Sequence, residues 1–347
     1  MQSLNLVSHA RHSTAVLVDP VACDRLAKVL ASLEVPRDHE EGELPGIPKS
    51  DVGNYFLALV AICHQTSPRG LPPLQGQVEG RLLRGWDYLA SKFEAAVATE
   101  QDLLEPECWA ELSAGRVRRL FADEEYGDRL TKPEERAELL RDLGRTMISH
   151  GWHRADDFYA TSRGHITGGS SGLLAVLRLF TAYSDPVAKK SSFFLALMRN
   201  CGLWAYRDEQ TLPPPVDYHE VRGHLRIGTV RLADDSLAHK VRTGTAVSIE
   251  EDIAIRRCVS DAIKRISTAS GIQNPSQLHY LFWNVFRAVC RRDGPQCFSM
   301  SADNGLPSRY RMLTPPEFGN ACLFAEVCAS AGTVDPVCDH VVDTHYY

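Results

Sequence analysis

The stretch NPSQLHYLFWNVFRAVC, residues 274–290, carries the chain's clearest apolar periodicity. Asn274 suits a helix N-cap and Pro275 the first helical position, where its missing N–H costs nothing. Leu278, Leu281, Phe282, Val285, Phe286 and Val289 then follow the i, i+3, i+4, i+7 rule of a helix with one buried face. Working outward, Thr131 with Glu134 and Ser248 with Glu251 have the spacing of capping boxes, ahead of ERAELLRDLGRTMISH and IEEDIAIRRCVSDAIKRIS. GNYFLALVAICHQT (53–66) is apolar nearly all round and predicts a central helix, and 171–183 and 186–198 predict two more. Only HLRIGTVRL (224–232) approaches strand alternation. The fold class is therefore mainly α, broken at PGIPKSDVG (45–53), SPRGLPPLQG (67–76), RGHITGGSSG (163–172) and LPPPV (212–216). The GGSSG segment is either a nest of anion-binding N–H groups or a plain turn.

With 347 residues, 44% hydrophobic and 24% charged, the chain has room for one or two cores. It lacks an apolar run of the roughly 18 residues a membrane span needs, and MQSLNLVSHARHSTAVLVD has no basic segment followed by an apolar one. A cytoplasmic protein without a membrane partner is expected. A net charge of −6 argues against wholesale electrostatic wrapping of nucleic acid but leaves room for local basic faces, GRVRRL (115–120) and RGHLRIGTVR (222–231).

Two features carry chemistry. Ten cysteines without a secretory leader favour metal or redox chemistry over a disulfide scaffold. Cys23, Cys63, Cys108, Cys201 and Cys258 are scattered, whereas Cys290, Cys297, Cys322, Cys328 and Cys338 crowd the end of the chain. Cys290 and Cys297 flank six residues, and Cys322 and Cys328 flank five; thiolates so spaced either converge on a soft metal centre or remain free. The second feature is PPPVDYHEVRGHLRIG (213–228), where Asp217 sits between three prolines and a helix start. It is either an N-cap alone or a carboxylate preorganised for catalysis.

Together these segments resemble the helix-hairpin-helix DNA glycosylases of the endonuclease III type. PVDYHEVRGHLR is similar to their catalytic segment, which places Asp217 on the catalytic aspartate. The pairs C-x6-C and C-x5-C are similar to their [4Fe–4S] motif, although Phe298 to Ala321 stand where the family has two residues. The resemblance implies Cys290, Cys297, Cys322 and Cys328 as ligands of a [4Fe–4S] cluster, with zinc as the alternative metal and Cys338 as a spare thiol. It also implies two helical domains with the active-site cleft between them: 54–185 as the central domain, and 1–53 with 186–347 as the second, holding the aspartate and the cluster loop. Gln65 falls where the family inserts a side chain into the duplex. SDPVAKKSS stands for the family's hairpin but keeps neither glycine, and Lys190, beside Lys189, falls at the position of the lysine that attacks the sugar in bifunctional members.

The resemblance thus implies a DNA N-glycosylase that flips out and excises a damaged or modified base, conceivably a bulky one of phage type, from double-stranded DNA. Trp152, Tyr159, Trp204 and Tyr218 are candidate base-pocket residues, and Arg291 and Arg292, inside C-x6-C, are candidates for phosphate. Cleaving an N-glycosidic bond builds positive charge on the sugar, which one fixed carboxylate stabilises. Water as nucleophile, a monofunctional enzyme and a monomer are expected. Two alternatives stay open: a salvage glycosidase of free nucleosides or nucleotides similar to the queuosine-salvage enzymes, and a noncatalytic Fe–S protein that binds nucleic acid.

Overall fold

The computed structural model describes residues 15–36, 46–301, 304–313 and 321–347. The leader reading of residues 1–14 and parts of the 298–321 insertion lie outside them. The chain is mainly helical, as the periodicity predicts. Its helices are α1 (Pro20–Ala31), α2 (Val52–Ala61), α3 (Trp86–Thr99), α4 (Pro106–Ala110), α5 (Ala114–Phe121), α6 (Pro133–Ser149), α7 (Ala155–Ser162), α8 (Leu173–Leu177), α9 (Lys189–Asn200), α10 (Tyr218–Ile227), α11 (Asp235–Thr243), α12 (Ile249–Ser270), α13 (Pro275–Ala288) and α14 (Ser308–Arg311). The strands are short. β1 (Val16–Val18) pairs antiparallel with β4 (Val230–Leu232), and β2 (Gln75–Val78) with β3 (Arg81–Arg84).

The quoted helix forms as read: Asn274 accepts from the Ser276 N–H, and Pro275 opens α13. The Ser248–Glu251 capping box also forms at the start of α12. The Thr131–Glu134 box does not. Lys132, in the left-handed region at φ 51°, caps α6, and the Thr131 hydroxyl donates to the Gln65 carbonyl instead. The first four residues of HLRIGTVRL are the end of α10, and only its last three enter β4. Gly169–Ser171 of GGSSG form a short exposed 3-10 turn.

Buried apolar side chains gather in two clusters. One runs from Ile47 to Leu212 and centres on α2, all ten of whose residues are buried. The other combines Val16–Val35 of the N-terminal segment with residues from Val216 to Phe324, on α1, α10, α12 and α13. The chain leaves the first core at Leu212 and enters the second at Val216, so Pro213, Pro214 and Pro215 form the link. Tyr280 of α13 packs into the first core, which sets that helix at the junction.

A buried ionic knot crosses the same junction. Arg256 of α12 is fully buried and bonds Asp185 (2.8 and 3.0 Å) and Asp252 (2.8 to 3.1 Å). His340 Nε2 (2.7 Å) and the Tyr347 hydroxyl (2.6 Å) also reach Asp252. Burial alone would raise the Asp252 carboxyl, but His340 and Arg256 hold it well below its usual range.

His224 of α10 lies buried edge-on against the Phe282 and Phe286 rings, with Nδ1 2.7 Å from the Thr229 hydroxyl. Burial pulls it down to about 3. The unfolded chain, with an ordinary histidine near 6.5, therefore binds a proton that the folded chain refuses. Stability is complete above about pH 6.5 and is lost as pH falls toward 3, at up to about 1.4 kcal/mol per pH unit for this group. Urea melts at pH 7 and pH 5 are expected to show the loss, and His224→Phe to flatten it. An unchanged slope in that variant contradicts the assignment.

Candidate active site

Asp217 is held from three directions. The proline link and the buried Val216 deliver it in extended conformation as the N-cap of α10, where its Oδ1 accepts from the N–H groups of His219 (2.7 Å) and Glu220 (3.4 Å). Glu220 returns the bond, accepting from the Asp217 N–H at 3.3 Å. Oδ2 accepts from the Trp283 indole N–H at 3.0 Å. That contact needs α10 and α13 close together, and Gly223 permits it, because a Cβ there would collide with the Phe286 ring. Arg222 fastens the pair further, donating to the carbonyls of Phe286 and Cys290 and to Asp339, each at 2.9 Å.

The other wall comes from the first core. Asp185 shapes the hairpin before α9 by accepting from the N–H groups of Val187 (3.0 Å) and Lys189 (2.9 Å), with Ala188 left-handed at φ 60°. The half-buried Lys189 lies over the Phe193 ring at 5.0 Å. Its charge is felt by Glu220 and His279, across the junction. Phe193 meets Trp86 edge-on at 4.9 Å. Next to Trp86, Asp87 pairs with Arg287 at 2.5 Å, and that guanidinium lies 4.8 Å from the Trp283 ring. The half-buried Trp86, Phe193 and Lys189 thus border the same junction as Asp217, His219 and Trp283.

Lys190 is elsewhere. It is fully buried, donates to the Ala61 carbonyl at 2.5 Å, and is pulled down by burial to about 7. Adjacent residues on a helix point about 100° apart, and of the two lysines it is the half-buried Lys189, its Nζ 3.8 Å from the Cys63 sulfur, that borders the junction. Gln65 is drawn to the C-terminal segment: its side chain donates to the Thr344 carbonyl at 3.0 Å, and its N–H to the Tyr347 carbonyl. Trp152, Tyr159 and Trp204 join one aromatic cluster of the first core around Phe158. Tyr159 and Trp204 stack at 4.5 Å, and Trp204 donates to Asp156. Tyr218 is half-buried beside Asp217, under the Arg292 guanidinium.

Arg291 donates to the carbonyls of Ala288 and Asn304, and Arg292 pairs with the buried Asp339 at 2.9 Å. Five arginines of the expected basic faces are similarly engaged. Arg116 pairs with Glu100, Arg118 with Glu134 and Arg231 with Asp19, while Arg222 and Arg226 are buried.

Cys290, Cys297, Cys322 and Cys328 line one cavity, together with Ile227, Phe286 and Phe324. The interrupting segment closes on itself, since the Cys322 N–H donates to the Cys297 carbonyl at 2.8 Å and so brings the two pairs together. Arg226 reaches the Cys290 sulfur at 3.4 Å, and backbone N–H groups of Phe324 and Ser330 act on Cys322 and Cys328. Burial pushes Cys322 up to about 12 and Cys328 up to about 11. Cys338 sits outside this lining, beside Arg226 and the Arg292 carbonyl.

Trp283, His279, Glu220, Lys189, Trp86 and Phe193 are the candidate site residues that spacing alone did not single out. His279 and Trp283 had a legible signal: i, i+4 polar-edged side chains beside the apolar stripe of α13 share one face. No family model matches this chain, and no curated protein matches it.

Proposed function

We propose that the chain is an N-glycosidase that flips out a damaged or modified base of DNA and hydrolyses its N-glycosidic bond, with the two helical lobes and their cleft arranged as in the endonuclease III-like enzymes. The observation that carries this reading is Asp217, held by three donors at a helix start and facing a junction bordered by half-buried aromatic side chains and an amine. A carboxylate so fixed has little reorganisation left to undergo when positive charge develops on the sugar, and aromatic faces offset part of the cost of unstacking a base. Three of its roughly four lone-pair positions are occupied, which suits a group that stabilises charge more than one that also activates water.

Water is the nucleophile in this reading. Lys190 is sealed against Ala61, so Lys189 is the amine that competes with it. Borohydride is expected to trap no enzyme–DNA adduct, with strand cleavage only after alkali. An adduct lost in Lys189→Gln would replace water by that amine.

A second reading, a glycosidase of free nucleosides or nucleotides, has its own support. The Asp185 carboxylate already takes two hairpin N–H groups of the kind that grip a DNA phosphate in the family, and Gln65 is engaged by the C-terminal segment. Duplex affinity that falls steeply with salt separates the two, because only a DNA enzyme releases many counterions.

The cysteine cavity brings together the donor set that a [4Fe–4S] cluster uses, four thiols lining one space. When bound, such a group would cross-link the Cys290–Cys297 and Cys322–Cys328 segments, and Arg226 and Arg222 tie that loop to α10. Protein purified without oxygen is expected to contain about four irons per chain with visible absorbance, lost in Cys322→Ser. Zinc in place of iron would keep the site and change the metal.

A further inference from the structure

Beneath Asp217 lies a second carboxyl that the reaction above leaves unused. Glu220 is fully buried and has two partners. Its Oε2 accepts from the Asp217 N–H at 3.3 Å, and its Oε1 lies 2.7 Å from His279 Nδ1. One oxygen accepting from the backbone and one facing a ring nitrogen fits a neutral carboxylic acid, with its C=O on the backbone and its O–H on the imidazole, as well as a carboxylate accepting from Nδ1–H. A neutral imidazole that accepts at Nδ1 must carry its proton on Nε2. The surroundings favour this form. Burial and the neighbouring Asp217 push the Glu220 carboxyl well above the carboxylate range, and burial pulls His279 down to about 3. Asp217 of α10 and Lys189 of α9 are the charged groups that act on the pair, with opposite sign. Only about 5% of the His279 side chain is exposed, and Nε2 is not among the sealed, unpartnered nitrogens.

We propose that Glu220 is a positioning residue that fixes His279 in its Nε2–H tautomer, and that His279 is a catalytic residue that supplies a proton to the departing base. The inference rests on the glycosidase reading. As the C1′–N bond breaks, its electron pair passes to the base, which takes the Nε2 proton. Nδ1 takes the Glu220 proton in the same movement; the proton released by the water that adds at C1′ then returns to Nε2, and Nδ1 hands its proton back to Glu220. A neutral imidazole donor suits this role beside Asp217, because an imidazolium would cancel the carboxylate's field at the sugar.

Nitrogen NMR of histidine-labelled protein, with His279→Gln to assign the resonance, tests the tautomer without reference to activity. The expected spectrum shows Nδ1 bare and Nε2 protonated, unchanged from pH 5 to 8. The same tautomer is expected in Glu220→Gln, whose amide can accept from Asp217 and donate to Nδ1. A proton on Nδ1, or an imidazolium forming in that range, overturns the proposal. The second arm compares leaving bases. His279→Gln is expected to slow release of a neutral base about 10²-fold, and release of 7-methylguanine, which departs without needing a proton, by about tenfold less. Equal losses on both overturn the catalytic role. The wild type should release both bases; if it releases neither, the glycosidase reading fails while the tautomer result stands.

Discussion

Asp217→Asn is expected to lower the single-turnover rate of base release by about 10³-fold, or roughly 4 kcal/mol of transition-state stabilisation, while leaving substrate affinity nearly intact. The substitution removes charge with little change of shape. Asn is as good an N-cap as Asp, so its carbonyl can keep the bonds from the His219 and Glu220 N–H groups and α10 should still start at Tyr218. What changes is the second oxygen. An amide NH2 there would face the Trp283 indole N–H, donor against donor, where the carboxylate accepts at 3.0 Å. The sugar carries little charge before the bond breaks, so binding should barely register the loss. A variant that keeps the wild-type rate on the true substrate removes Asp217 from the chemistry and returns it to a capping role.

Arg256→Met is expected to destabilise the fold by about 3–5 kcal/mol, the largest stability effect among the predictions. The guanidinium is fully buried between Asp185 and Asp252, and its removal leaves two buried carboxylates without the cation that pairs with both. The damage should be local as well as global, because Asp185 also holds the hairpin that orients Lys189. Adding Asp252→Asn should recover part of the loss, since the cost lies in the unpaired charges rather than in the missing contact. Urea unfolding at pH 7 measures both variants. A loss under about 1 kcal/mol for Arg256→Met would mean that water reaches the knot.

How much of this was legible depends on whether a feature is local. The helical class follows from periodicity, and α13 was readable to its cap because Asn274, Pro275 and the apolar stripe all agree. The capping box at Thr131 failed for a tertiary reason: the hydroxyl serves the Gln65 carbonyl, and Lys132 adopts the left-handed turn. Asp217 was legible because prolines, aspartate and helix start are neighbours in the chain. Its partner Trp283 was not, because the Gly223–Phe286 approach that joins α10 to α13 links residues far apart in sequence. Lys189 and Lys190 illustrate the limit most sharply. Spacing cannot tell adjacent residues apart when the start of the helix is decided by the Asp185 side chain and a left-handed Ala188. The cysteine pairs were legible as pairs; their union depends on the bond between Cys322 and Cys297, which closes the interruption.

The central claim is that this chain breaks an N-glycosidic bond, and mass spectrometry of the bases released from a panel of modified duplexes, free nucleosides and nucleotides tests it most directly. The account predicts an intact free base released by the wild-type protein from one class of substrate, preferentially from duplex DNA, and at least a hundredfold less in the same time with Asp217→Asn. Release of no base from any member by iron-loaded protein would contradict it, and equal release by the wild type and the Asp217 variant would take Asp217 out of the chemistry.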